Sequence, residues 1–166
     1  MDKKVIALIS LFFVFVIGIA LLVFSTGSQK AELSKTKGAS LETFQTDFNF
    51  NNIKYSGGKV THIYKVKNIG DKDLQIANLA TSCMCTDVYF KKGNEQGPSF
   101  GMKGMTAPST WTGNLKPGET AEIVGVFDPA YHGPSGIGPV QRTLSFETND
   151  PDHPYVELNF EGVVVQ

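Results

Sequence analysis

An all-β sandwich of seven antiparallel strands, preceded by one N-terminal transmembrane helix, is the fold that three features of this 166-residue sequence predict. Beyond Leu41, apolar residues recur at every second position. Gly-, Pro- and Asn/Asp-rich turn signals separate these alternating runs. Ahead of Leu41 lies one long apolar block, Val5 to Phe24, whose breaks are Ser10, Gly18 and two alanines.

The block comes first in the chain. Twenty helical residues rise about 30 Å, the thickness of a bilayer hydrocarbon core. Lys3 and Lys4 precede it, which favours an N-terminus inside and the remainder outside the cytoplasm. A cleavable signal peptide is the competing reading, with Ser25-Thr26-Gly27 as its small-residue site. Its apolar part is usually only about 7–15 residues, so length favours the uncleaved anchor. No 3.6-residue periodicity or polar side marks the block as a buried core helix. Residues 1–27 are thus expected to be a signal anchor, 28–40 a polar flexible tether, and 41–166 the folded domain. Either reading exports that domain, and the expected location is the cell membrane with the C-terminal part extracytoplasmic.

Strands follow from the period of two. Val60, His62, Tyr64 and Val66 alternate with Thr61, Ile63, Lys65 and Lys67. Val156, Leu158 and Phe160 alternate with Tyr155, Glu157, Asn159 and Glu161, and Val140, Leu144 and Phe146 share a third face. Such alternation buries one face of each strand and leaves the other in water. Strands are expected near 46–53, 59–67, 73–79, 83–90, 121–128, 140–147 and 155–165, an immunoglobulin-like number. Ser56-Gly57-Gly58, Ile69-Gly70-Asp71-Lys72, Lys116-Pro117-Gly118 and Asn149-Asp150-Pro151 supply turns between them. The 139 residues after position 27 carry 13 Lys+Arg and 15 Asp+Glu. A charge near −2 argues against a nucleic-acid partner, which calls for a basic excess.

Several motifs occur in order: Phe48-Asn49-Phe50, Asn68-Ile69-Gly70-Asp71, Thr81-Ser82-Cys83-Met84-Cys85-Thr86, Pro117-Gly118-Glu119, Phe127-Asp128 and Thr148-Asn149-Asp150-Pro151. Together they resemble the bacterial domain-of-unknown-function 1573 (DUF1573) family, a Hydin-like, ASH-type immunoglobulin-like sandwich. The resemblance runs from about residue 46 to 166 and implies an exported seven-stranded fold, with no assigned activity. Two departures stand out. Met84 occupies the place where the family usually has glycine. An insertion, Lys91 to Thr120, separates Phe90 from the Lys116-Pro117-Gly118 turn.

That insertion contains six glycines and three prolines. A structureless loop of this length is usually functional or disordered. Every sulfur beyond Met1 lies within residues 83–105: Cys83, Met84, Cys85, Met102 and Met105. Thiolate and thioether are the soft ligands that select Cu(I). On a strand, Cys83 and Cys85 would share a face. A methionine loop folded over them would make a soft metal site from Cys83, Cys85, Met102 and Met105, with Met84 or His132 as auxiliary ligands. Two plainer readings stand beside it. The cysteines are core filler, or they form a disulfide in an oxidising compartment. Strand geometry opposes the disulfide, since Cα atoms two apart lie about 6.5–7 Å from each other.

The other candidates are structural. His62 reads as a hydrogen-bonded core residue and His153 as a turn residue, while Trp111 is a packing or partner-contact aromatic. No nucleophile elbow, phosphate loop or His-Glu-x-x-His occurs, and the expectation is a non-enzymatic, membrane-anchored binding domain. An envelope protein is the partner expected besides the membrane. The alternatives are a metal-free structural or adhesion module, and a thiol–disulfide redox protein using Cys83 and Cys85. A strand lacks the helix N-terminus that lowers a thiol pKa in Cys-x-x-Cys proteins, which ranks the redox alternative lower.

Overall fold

The computed structural model describes residues 2–25 and 29–166. Thr26 and Gly27, which carry most of the small-residue cleavage motif, lie outside the described residues. The first element is helix α1, Lys3–Ser25. Its described apolar side chains, among them Leu8, Leu11, Phe12, Val14, Phe15 and Leu21, are exposed around the helix. Side chains are described without a break only over residues 8–21, and among the described residues no helix is long and apolar enough to cross a membrane.

The remainder is a two-sheet sandwich of ten strands: β1 Leu41–Thr43, β2 Asp47–Lys54, β3 Val60–Asn68, β4 Leu74–Thr81, β5 Thr86–Lys92, β6 Glu95–Gln96, β7 Thr112–Leu115, β8 Thr120–Phe127, β9 Gly138–Thr148 and β10 Tyr155–Val165. One sheet runs β1-β3-β8-β5-β6 and the other β2-β10-β9-β4-β7. All seven expected strands are present as β2, β3, β4, β5, β8, β9 and β10. The count of seven is corrected to ten by three short edge strands. Of these, β6 and β7 come from the insertion, so it is built into the sandwich rather than structureless. Wholly antiparallel pairing is also corrected, because β2 pairs parallel with β10. The chain leaves β1 in one sheet and enters β2 in the other, so no hairpin fixes the direction of that pair.

Alternation places the core where expected. In β10, Val156, Leu158, Phe160 and Val164 are buried between exposed Tyr155, Glu157, Glu161 and Val163. They meet Tyr64 and Val66 of β3, Leu74 and Ile76 of β4, Val88 of β5, Ile123 of β8 and Leu144 and Phe146 of β9. His62 is half-buried, stacked on Phe48 at 3.6 Å between ring centroids, with Nε2 3.2 Å from Gln45 Oε1. Burial lowers its pKa from the ordinary value. Trp111 packs on Phe90 and Phe100. A β-carbon at Gly97 would come within 2.5 Å of the Trp111 ring, which explains the glycine there.

Two of the sequence motifs are buried clamps. Asn68 is wholly buried; its Nδ2 donates to the carbonyls of Lys72 and Leu115, and its Oδ1 accepts from the Gly70 amide. Gly70 is obligatory because a β-carbon there would meet the Gly38 carbonyl at 2.0 Å. In the second clamp, Asn149 Oδ1 accepts from the Gln75 amide, while Asp150 accepts from the amides of Leu41 and Asp152.

Residues 29–40 do not behave as the free tether that their polarity suggested. Asn78 Nδ2 donates to the Ala31 carbonyl, the Ala31 amide donates to Ser109, and the Thr36 amide donates to Asn149. Lys30 pairs with Glu147, and Ala31 and Ala39 are buried. Two small apolar residues and an amide at every few positions suffice to dock the segment, although its composition resembles a linker.

Candidate functional site

The third motif, Thr81 to Thr86, has no such clamping role. It is the passage from β4 in one sheet to β5 in the other, and it turns tightly. The Thr86 amide donates to the Cys83 carbonyl at 3.1 Å, and the Thr81 hydroxyl lies within reach of the Cys83 and Thr86 carbonyls. The turn corrects the expected strand beginning at residue 83. It also removes the objection to a disulfide: the Cα atoms of Cys83 and Cys85 are 5.3 Å apart, and the two sulfurs are joined.

The two cysteines differ in environment. Cys83 is half-buried, Cys85 is 2% exposed, and Met84 between them faces solvent. The loop between β8 and β9 brings His132 to the open side, where Nε2 is 3.3 Å from Cys83 Sγ. This loop is anchored by the Asp128 amide, which donates to the Cys85 carbonyl at 2.9 Å. From the closed side, Arg142 of β9 donates from Nε to Cys85 Sγ at 3.1 Å, while its guanidinium lies 5.7 Å from the centre of the Phe127 ring. Burial pushes the Arg142 guanidinium down from its ordinary pKa. Among the described residues, no carboxylate forms an ion pair with it. A half-buried cation thus aims at a neutral sulfur, a weak acceptor that does nothing to balance its charge.

The structure brings together Cys83, Cys85 and His132, whose donor atoms all lie within 4.8 Å of one another. It places the other two expected ligands elsewhere. Gly101 and Lys103 exchange backbone hydrogen bonds with Thr81, which fixes the insertion alongside β4. From there Met102 lines a cavity of about 190 Å³ with Leu79, Phe100, Lys103 and Tyr155, and neither cysteine is in its walls. Met105 is 65% exposed. Arg142 was missed in the sequence. Its signal was a charged residue at the inward parity of Leu144 and Phe146.

Residues 41–99 match the family described as "Protein of unknown function (DUF1573)", as the motifs indicated. No curated protein sequence matches the chain. Among solved structures, a protein of unknown function from Porphyromonas gingivalis W83 is similar with a TM-score of 0.57 and 15% identity, over 80% of this chain and 50% of that one. The chain therefore spans about half the length of that protein. A family 123 glycoside hydrolase from Clostridium perfringens gives 0.50 at 8% identity, over 78% and 27%. The ASH/PapD-like domain 7 of human CEP192 gives 0.47 at 16% identity, over 85% and 96%. At identities this low, the Porphyromonas gingivalis and Clostridium perfringens structures show likeness of fold alone.

Proposed function

We propose that this chain is a membrane-anchored, extracytoplasmic immunoglobulin-like domain whose Cys83–Cys85 disulfide exchanges with thiols of an envelope partner. The observation that carries the reading is the asymmetry of the disulfide: one reachable sulfur beside a histidine, one buried sulfur beside an arginine that has no carboxylate partner among the described residues. An incoming thiolate attacks Cys83 Sγ, the S–S bond breaks, and Cys85 leaves as a thiolate on the Arg142 Nε–H. A second partner thiolate then attacks the partner's sulfur in the mixed disulfide. Cys83 departs as a thiolate, and the imidazole of His132 beside it is placed to pass it a proton from solvent. Two electrons pass from the partner's two thiolates to the domain, which ends with Cys83 as a thiol and Cys85 as a thiolate beside Arg142, and the partner is left as a disulfide. Arg142 does for Cys85 what a helix N-terminus does in Cys-x-x-Cys proteins, placing positive charge where the leaving thiolate forms.

The test is a redox titration of the full chain in detergent against glutathione buffers of set potential, counting free thiols. Glutathione should open the disulfide in the folded protein. Because Arg142 stabilises the reduced form, Arg142→Met should lower the midpoint potential. A charged hydrogen bond contributes about 1.5–3 kcal/mol, so the fall should be about 30–60 mV. A disulfide that opens only on unfolding, or a midpoint that ignores Arg142→Met, would overturn the reading.

The anchor rests on the apolar run Val5 to Phe24, apolar on every side of α1 where its side chains are described. The full-length chain should stay in membranes through an alkaline wash, whereas a chain starting near Ser28 should be soluble. Release of the full-length chain would count against it.

A further inference from the structure

We infer that the reduced site holds one Cu(I) between Cys83, Cys85 and His132, with Met102 and Met105 taking no part, and that Arg142 tunes it for a monovalent ion. This rests on the disulfide being openable, as proposed above, and goes beyond it. Three observations point to a metal. The three donor atoms already lie within 4.8 Å of one another. They come from two separate loops held together by the Asp128–Cys85 backbone hydrogen bond, which keeps His132 beside the two sulfurs already in the disulfide state. They combine two thiolates with an imidazole, a soft set suited to Cu(I) and Zn(II).

Coordination number and charge separate those two ions. Structural Zn(II) is almost always four-coordinate. Among the described residues the group contains no fourth His, Cys, Asp or Glu. Cu(I) has no such requirement here, and a three-donor set leaves it complete. Two thiolates carry two negative charges. One Cu(I) and the Arg142 guanidinium, 3.1 Å from Cys85 Sγ, bring the half-buried site to neutrality. Zn(II) in the same place would leave a net positive charge beside the Phe127 ring, with no carboxylate among the described residues paired to Arg142 to offset it. On binding, Cys83 gives up its proton, Cys85 is already a thiolate beside Arg142, and two Cu–S bonds form. Oxidation to the disulfide removes both sulfur ligands, so the ion and the disulfide exclude each other.

The experiment uses the full chain in detergent, reduced anaerobically with dithiothreitol, then desalted. Free thiols are counted first with a chromogenic disulfide. Cu(I) is then offered from its bathocuproine disulfonate complex, whose colour reports the ion withdrawn, and Zn(II) is offered separately. The expected result is two thiols, one Cu(I) per chain, and no uptake by the oxidised chain. Cys83→Ser should abolish uptake. His132→Ala, at an exposed position that spares the fold, should weaken it about tenfold or more. Arg142→Met should narrow the preference for Cu(I) over Zn(II). Met102→Leu with Met105→Leu should leave uptake unchanged. If no thiols appear, the exchange reading has failed. If two thiols appear and no Cu(I) is taken up, the metal inference alone is overturned. Equal uptake by the oxidised chain, or loss of uptake in the methionine double variant, overturns it as well.

Discussion

Phe160→Ala should cost about 3–5 kcal/mol of folding stability, read as a shift of the denaturation midpoint at constant slope. Phe160 is 2% exposed at the centre of β10 and meets Phe50 at 5.4 Å and Phe127 at 5.6 Å between ring centroids. Those partners belong to β2 and β8, one in each sheet, so the ring joins the two layers. Its removal leaves a cavity that neither rigid sheet can collapse to fill. Against a total stability of about 5–15 kcal/mol, the loss is a large share. A cost below about 1 kcal/mol would mean that β10 presents its other face to the core.

Asp150→Ala should be nearly as damaging, at roughly 2–5 kcal/mol, because it strands the buried amide of Leu41 and takes the acceptor from the amide of Asp152. Asp150→Asn, which keeps one acceptor oxygen, should recover part of this. The same residue sets an acid limit. Burial pushes the Asp150 carboxyl up, but the amides of Leu41 and Asp152 and the neighbouring His153 outweigh it and hold the pKa below the usual value. A carboxyl whose folded pKa is depressed adds stability that is complete above its unfolded value, about pH 3.9. That contribution is lost as pH falls through the lower folded value. Wild type should therefore lose stability below about pH 4 more steeply than Asp150→Asn, measured by denaturant unfolding across that range.

Both predictions concern features legible in the sequence, because both depend on local pattern. The period of two in β3 and β10 fixed which side chains face inward before any tertiary contact was known. The Asn-x-Gly-Asp and Thr-Asn-Asp-Pro runs announced turns, although their burial did not show. What stayed hidden was set by contacts distant in the chain. The strand expected near 83–90 begins at Cys83, yet the crossing between sheets needs a turn just there. Whether Met102 sits over the cysteines or beside Leu79 depends on the backbone pairing of Gly101 and Lys103 with Thr81, which no spacing encodes. Ala31 and Ala39 are too small and too few to signal that residues 29–40 dock. Arg142 did break the apolar face of its strand, and an inward charged residue in an alternating run is a signal that can be searched for.

The docking of residues 29–40 also governs how far the domain can stray. Lys30 is paired with Glu147 and the Ala31 amide with Ser109, so only five residue steps, Ser25 to Lys30, separate the end of α1 from the first docked residue. Five residue steps reach at most about 17 Å when fully stretched. With α1 anchored as proposed, the Cys83–Cys85 turn is confined to a thin shell above the bilayer. A partner held in the same membrane then meets it at the raised effective concentration of a short leash, while a partner free in solution gains nothing from it.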